Sequence, residues 1–486
     1  MSELASVRGI LLPKAIEKNP SYASRLSVTV ITVLATIIFA LIPLFVNPYN
    51  VDYQSLSFER SFVPPKFELL LVLSGLLLAV MLTAWLSGAK FIRVPMLIPA
   101  VAFLAISVLS TTLSEDAYLS LVGSEAYRTG LLSTAAGVLL FYAAARFLDS
   151  WTKVRFFLIV GVVTAALIAA YGISQRFGFD PLFDLSAVWP GSREVRIFST
   201  IGNPIYLAAY LSLMMGCAAT LYLEAGPRWE RVLWLTALAV IGACWFYTYT
   251  RGAILGASIA LPVVLWVAHR RMGTVRPLLV PLATLAAAVL MAAVLGYVAD
   301  RTMQAQDAET QGATSSASEN VAGRLAQAGR LAQTQDANTL SRLLIWRDTV
   351  AVILGRPLLG YGLDNFREPF SRHEGEDLKA MMQPSTMTQP IPVDKAHNEF
   401  LQVAATTGLL GLAAYMWLFA AYFRNSYNSG RWTLVALSAG VLTYILQLQT
   451  IFTTLTTSVT FWAVLGVSAA VMRLPDRSGR GGVHPQ

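Results

Sequence analysis

Charge is what this chain has least of. Asp, Glu, Lys and Arg together make up 13% of its 486 residues, about half the share in soluble domains. Cysteine stops at Cys217 and Cys244. Both sit inside apolar runs with no metal-ligand spacing, so they read as core side chains. Histidine occurs only at His269, His373, His397 and His484. There is no Asp-x-Asp pair for a metal–nucleotide sugar, no His-Glu-x-x-His, no Walker loop and no Gly-x-Ser-x-Gly. These absences disfavour a metal-dependent transferase of soluble type and an ATP-driven pump. The sequence has no solenoid repeat, no heptad array and no separate soluble domain. Its first 25 or so residues are polar, which predicts an uncleaved first span rather than a signal peptide.

Apolar residues, by contrast, reach 55%, and the mean hydropathy is +0.57. Twelve apolar runs follow one another: 26–46, 67–87, 96–112, 131–148, 156–174, 204–223, 232–250, 252–268, 278–298, 401–423, 433–453 and 457–472. Runs near 20 residues match a hydrocarbon layer about 30 Å thick. Backbone groups in lipid must be satisfied internally, and continuous rather than alternating runs select helices over a barrel. The expected fold is all-α: a polytopic membrane protein of about 12 transmembrane helices, with a large periplasmic helical segment, 299–396, between spans 9 and 10.

Net charge is +8. In a soluble protein that would suggest nucleic acid, but here it follows from topology. With the N-terminus inside, short inner segments hold nineteen Lys and Arg and short outer loops hold seven. The positive-inside bias therefore predicts both termini in the cytoplasm and 299–396 outside. The outer segment begins with a stretch rich in Ala, Gln, Ser and Thr, Met303 to Thr339, which carries a short repeat at Gly323–Gln327 and Gly329–Gln333. Its composition predicts a surface-lying or mobile helix pair. Ser341 to Leu354 reads as an amphipathic helix resting on the bundle, ended by Gly355-Arg356-Pro357. Gly360-Tyr361-Gly362-Leu363-Asp364-Asn365 lacks both the preceding strand and the third glycine of a dinucleotide loop, so it reads as a turn.

The candidate chemistry collects on the outer side. Arg251 lies between two apolar runs with almost no polar linker. It either snorkels to lipid phosphate or presents its five-donor fork to an anion in a protein cavity. Arg196 sits in a loop just before a helix expected to start near Asn203-Pro204, where N–H groups favour anions. Its alternative is pairing with Glu194 or Asp184. Arg342 and Arg347 flank Trp346 on the amphipathic helix. Five residues apart, at most one of them faces the site. Arg128 is a weaker candidate of the same kind, and the Trp189-Pro190-Gly191 loop neighbours Arg196. His269 stands at an inner helix end, His373 in a charged stretch and His484 in the tail. His397, in Lys395-Ala396-His397-Asn398-Glu399-Phe400, opens a membrane helix on the outer side. A neutral imidazole there takes a proton from a hydroxyl, oriented by Glu399 or Asp394, with Asn398 beside it. No cofactor or metal is expected. An outer-face reaction without ATP needs a donor already energised in the membrane, and a lipid diphosphate sugar meets that need.

These residues fall in segments that resemble the O-antigen ligase and polymerase superfamily: Arg196–Asn203, Thr250–Ala253, Ser341–Trp346, Gly360–Phe366, and His397–Leu401 followed by Thr407–Leu412. The resemblance covers about 190–425. It divides the chain into N-terminal helices 1–189, a ligase-like core 190–425 and C-terminal helices with a tail 426–486. It implies an inner-membrane enzyme of twelve helices that transfers a glycan from undecaprenyl diphosphate to an acceptor hydroxyl, without metal and with inversion. The acceptor is lipid A core in ligases, a second lipid-linked glycan in polymerases and a protein hydroxyl in related enzymes. By position, Arg251 and Arg342 match the family's essential arginines, His397 its histidine, and Arg196 a commonly basic position. The insert 303–339 departs from the family pattern and leaves the acceptor open. A transporter or flippase is the rival outside enzymes. It predicts mid-membrane charge and repeated halves, and the runs show neither.

Overall fold

The computed structural model describes residues 22–47, 62–183, 196–310, 339–382 and 392–475. Trp189-Pro190-Gly191, Asp184, Glu194, the repeat at 323–333 and His484 lie outside the described residues. Each of the twelve apolar runs is matched by a helix. In chain order these are α1 (Tyr22–Leu44), α2 (Val63–Leu86), α3 (Leu97–Thr112), α5 (Leu131–Phe147), α6 (Trp151–Arg176), α7 (Pro204–Glu224), α8 (Arg228–Tyr247), α9 (Arg251–Met272), α10 (Arg276–Thr310), α14 (Glu399–Ser429), α15 (Trp432–Gln447) and α16 (Leu455–Arg473). Between them come the short α4 (Ala117–Val122), α11 over 339–355, α12 (Arg367–Ser371) and α13 (Glu376–Met382). No strand occurs among the described residues. Nine of the twelve helices are long and apolar enough to cross a membrane, and α3, α5 and α15 are shorter apolar helices. The chain is a polytopic, all-helical membrane protein.

Lipid tails are as apolar as Leu, so association of such helices rests on close packing at small residues. α16 is the most enclosed helix, 89% buried. It packs on α5 where Gly137 meets the Trp462 ring and Gly466 meets Phe141 and Ala144. α7 and α15 approach backbone to backbone. A Cβ on Gly216 would lie 2.8 Å from the Ala436 carbonyl, and one on Gly440 2.8 Å from the Ser212 carbonyl. α10 is peripheral, 17% buried, and turns Leu290, Met291 and Val294 outward. Water would penalise such a face; a bilayer accepts it.

The two ends of the bundle differ. At the basic end, arginines close helix C-termini, which lack intrahelical partners. Arg473 donates to Ala145 O at 2.5 Å, Arg431 to Leu474 O at 2.5 Å and Arg271 to Asn428 O at 3.2 Å. Arg155 pairs with Glu230 at 2.7 Å. The opposite end carries α4, α11, α12, α13 and the starts of α7, α9, α14 and α16.

Two runs that read as single spans are interrupted there. The run 433–453 stays helical only to Gln447, after which 448–454 forms an irregular loop. The run 401–423 breaks at Gly408 (φ 71°, ψ −179°). The break frees N–H and C=O groups, and the segment 357–362 takes them up. Leu409 N donates to Pro357 O at 2.7 Å, Tyr361 N to Ala405 O at 3.2 Å and Gly362 N to Thr406 O at 2.8 Å. Buried backbone must be paired, and here a loop supplies what the helix does not. A Cβ at Gly408 would lie 2.1 Å from Leu358 O. Glu399 N bonds Leu448 O at 2.9 Å, and Ser110 near the end of α3 bonds Thr406 O at 2.7 Å. Residues 399–407 therefore lie along this end of the bundle, and α14 descends only beyond Gly408.

Candidate functional site

His397 is the last residue before the cap of α14. Asn398 is that cap: its side-chain oxygen accepts from Phe400 N at 3.0 Å and Leu401 N at 3.2 Å. Glu399 folds the other way and accepts from Thr453 N at 2.7 Å. Ala396 is held on both sides. Its N–H donates to Gln402 Oε1 at 2.8 Å, and its carbonyl accepts from Trp346 Nε1 at 3.0 Å. His397, between these fixed neighbours, has φ 51°. A non-glycine residue persists in this left-handed region when its surroundings over-determine it, at a cost of about 1–3 kcal/mol. Arg128, Ser199, Tyr249 and Asp364 share the feature. These four lie at this end of the bundle, in or next to the segments singled out by sequence; Met96, just before α3, has a left-handed backbone as well.

The imidazole meets the Phe452 ring edge-on, with centroids 5.6 Å apart. It makes no hydrogen bond to any described residue, so neither Glu399 nor Asp394 orients it through one. Burial pushes its pKa down to about 4; the charges of Arg342 and Lys395 push the same way and Asp394 opposes them. The ring is neutral at neutral pH, the form a general base needs.

Arg342 lies on α11, one turn before Trp346, whose indole anchors that helix to the His397 turn. It is partly buried, and burial lowers its pKa. It has no hydrogen bond or ion pair among the described residues. Arg347, on the other side of Trp346, is held by Asp377 and Asp348, each at 2.7 Å. Only Arg342 of this pair faces His397.

Arg251 is the first residue of α9 and is exposed. It too lacks a hydrogen bond or ion pair among the described residues. Its neighbour Gly252 presses against the 448–454 loop, where a Cβ would meet Thr450 Oγ1 at 2.2 Å. The same stretch ties in the start of α7, since Gln447 Nε2 donates to Ile205 O at 3.1 Å. Four helix N-termini thus surround one loop, and N-termini favour anions. Asn203 caps α7, Asn398 caps α14, and Thr454 with Thr457 forms a capping box on α16. Only α9, the helix that begins with Arg251, has no side-chain cap. Arg196 joins this group, donating to Thr248 O at 3.4 Å. Arg128 is turned into its own loop, bonding Gly123 O at 3.3 Å and stacking 5.3 Å from the Phe67 centroid.

Of the eight residues expected from sequence, Arg342 faces His397, Arg251 begins the helix whose Gly252 meets Thr450, and Arg196 reaches the end of α8 at Thr248. Asn398 and Glu399 serve the backbone that presents His397. Arg347 and Arg128 are engaged elsewhere. Sequence reasoning gave no role to Phe452, which lies 4.9 Å from Tyr127, 5.7 Å from Tyr206 and 5.6 Å from His397 between ring centroids. It also overlooked the buried ion pair of Lys395 and Asp364. Lys395 stands two residues from His397, but no spacing rule connects it to Asp364. A cavity of about 80 Å³ opens beside the pair, lined by Glu399, Gln402, Thr453 and Phe452 among others. Among the described residues no three His, Cys, Asp or Glu side chains gather as metal ligands.

Residues 236–416 match the O-antigen ligase family. The matched stretch runs from α8 into α14 and contains Arg251, Arg342, Arg347, His397, Asn398 and Glu399. Arg128 and Arg196 fall outside it. No curated protein matches the chain. The family match supports the O-antigen ligase superfamily and, in general terms, a function of the ligase or polymerase type. That type of function implies a lipid-linked glycan donor and a glycan acceptor.

Proposed function

We propose that this chain transfers an oligosaccharide from undecaprenyl diphosphate to an acceptor hydroxyl, with lipid A core as the acceptor, on the periplasmic face of the inner membrane. One observation carries the reading: two arginines without acidic partners, Arg251 and Arg342, lie at the end of the bundle that presents a neutral imidazole with no hydrogen bond. Arg342 is partly buried, where an unpaired guanidinium is costly and an anionic ligand relieves the cost; Arg251 is exposed and its fork is open to the same ligand. A diphosphate offers paired oxygens to two forks. The uncapped start of α9 adds free N–H groups beside Arg251.

The reaction then follows from the groups present. The acceptor oxygen gives its proton to a ring nitrogen of His397 and attacks the anomeric carbon. The bond from that carbon to the phosphate oxygen breaks, and the electron pair leaves with undecaprenyl diphosphate. Attack and departure on opposite faces invert the sugar. Arg251 and Arg342, with Arg196 behind them, stabilise the growing negative charge. The leaving diphosphate needs no general acid. Asn398 and Glu399 hold the turn that carries the base.

The test uses purified full-length protein, undecaprenyl diphosphate oligosaccharide and three separate acceptors: lipid A core, a second donor molecule and a pilin-like protein. Product on lipid A core supports ligation, while product on either other acceptor reassigns the chain to a polymerase or a protein transferase. His397→Ala should lower turnover by about 10²–10⁴-fold and retain donor binding. Undiminished turnover in that variant removes the assignment of the base. Transport of the lipid glycan with no transfer to any acceptor supports the flippase reading instead.

A further inference from the structure

The ion pair behind His397 is absent from the mechanism above. Lys395 and Asp364 are 3% and 0% exposed at their side chains, and Lys395 donates directly to Asp364. Removing two charges from water is expensive, and the cost is offset only where the remaining hydrogen-bonding capacity is filled. It is filled here. The second oxygen of Asp364 accepts from Ser124 N at 2.6 Å and Ser124 Oγ at 3.0 Å. Lys395 also reaches Thr129 Oγ1 at 3.4 Å. Burial works to raise the Asp364 pKa, but Lys395 and the Ser124 bonds hold it below the ordinary carboxylate value. The carboxylate is therefore favoured in its charged form, and the pair joins three segments distant in sequence: 124–129, the turn at 364 and the turn at 395–397.

Its location is as informative as its burial. The Lys395 ammonium stands 4.9 Å from the Tyr127 centroid and 5.6 Å from the Phe452 centroid. Phe452 in turn meets the His397 ring. Both Asp364 (φ 59°) and His397 (φ 51°) are held in left-handed backbone, a geometry that needs support from outside the turn itself.

We propose that Lys395 and Asp364 are the positioning pair of His397, anchoring its turn through Phe452 and the 124–129 loop and fixing a positive charge beside the ring. The inference rests on the reading of His397 as the acceptor-activating base. The charged groups that face the imidazole are Arg342 from α11 and Asp394 and Lys395 from its own turn. The 448–454 loop presents Phe452 to it and carries no charge. Lys395 is one of two cations that disfavour the imidazolium. Removing it raises the histidine's pKa, so at mildly acidic pH a smaller fraction of the base is free.

The experiment titrates His397 directly in the full-length protein. Carbethoxylation of His397 by diethyl pyrocarbonate, read by mass spectrometry across pH, tracks the neutral imidazole without needing turnover. The wild-type midpoint is expected near about 4. Lys395→Met should move it up by a resolvable part of the distance to the ordinary value, since burial and Arg342 still hold it down, and lower the thermal midpoint of the protein. Lys395→Arg retains the charge and should keep the low titration midpoint. Lys395→Met with Asp364→Asn removes both charges yet leaves an oxygen for Ser124. It should recover thermal stability while the His397 midpoint stays raised. A pair that merely held the fold would regain both readouts together, and that result overturns the proposal. Equal His397 midpoints in wild type and Lys395→Met overturn it as well. Absence of glycan transfer by the wild type would instead strike the proposed reaction, leaving the titration result to stand on its own.

Discussion

Two sets of cations occupy the same end of the bundle and differ in one respect. Within the segment 339–382 three arginines have acids. Arg347 is held by Asp348 and Asp377, and Arg356 and Arg372 share Glu115 at 2.9 Å each. Around the His397 turn, Arg251 and Arg342 have none among the described residues. The residue type is the same, and sequence ranks Arg342 and Arg347 alike, five positions apart on one helix. The structure separates them by partner. A paired arginine has its charge neutralised by the fold and tethers a loop. An unpaired one near a protected site leaves its fork for a ligand. The difference marks which side of α11 belongs to the site.

The strongest way to break this comparison is to keep the charge and remove the fork. Arg251→Lys should lower turnover by about 10²-fold, because an ammonium does not reproduce bidentate geometry. Near wild-type turnover would mean that Arg251 only anchors lipid phosphate. The next effect is on pH. The base must be neutral to accept a proton, and its pKa lies near 4 in the free protein. Activity as kcat/KM should therefore stay level through the neutral range and fall on the acid side only as pH drops through about 4. An acid limb near 6.5 would describe an open, ordinary imidazole and remove the influence of Arg342 and Lys395.

Much of this architecture is legible in the sequence because apolar length is a local signal. The twelve runs became helices, and the amphipathic pattern over Ser341–Leu354 became α11 at 339–355. The Gly360–Asn365 stretch is the irregular turn its glycines suggest, with φ 65° at Gly360 and 105° at Gly362. Hydropathy does not register an interruption inside an apolar run. Gly408 sits between Thr407 and Leu409 with no charge or proline to mark it, yet the helix breaks there because the 357–362 segment arrives to pair with it. The Leu448–Thr454 loop carries no charge, proline or glycine and continues the apolar run before it, so its role as the hub beneath the site was invisible. The sites themselves divide the same way. His397 and Arg251 stand out by their positions at run boundaries. Asp377, which holds Arg347, and Asp364, which holds Lys395, come from 30 and 31 residues away in sequence, and such pairings are set by the fold alone.

The central claim is that the unpaired arginines bind the donor diphosphate while the paired ones serve the fold. Donor binding tests it directly: the dissociation constant of undecaprenyl diphosphate oligosaccharide, measured on full-length protein with Arg251 and Arg342 both changed to Gln, against protein with Arg347→Gln. The account predicts weakening of tenfold or more, about 1.4 kcal/mol or above, in the first and wild-type affinity in the second. Equal affinities in the two variants would contradict it.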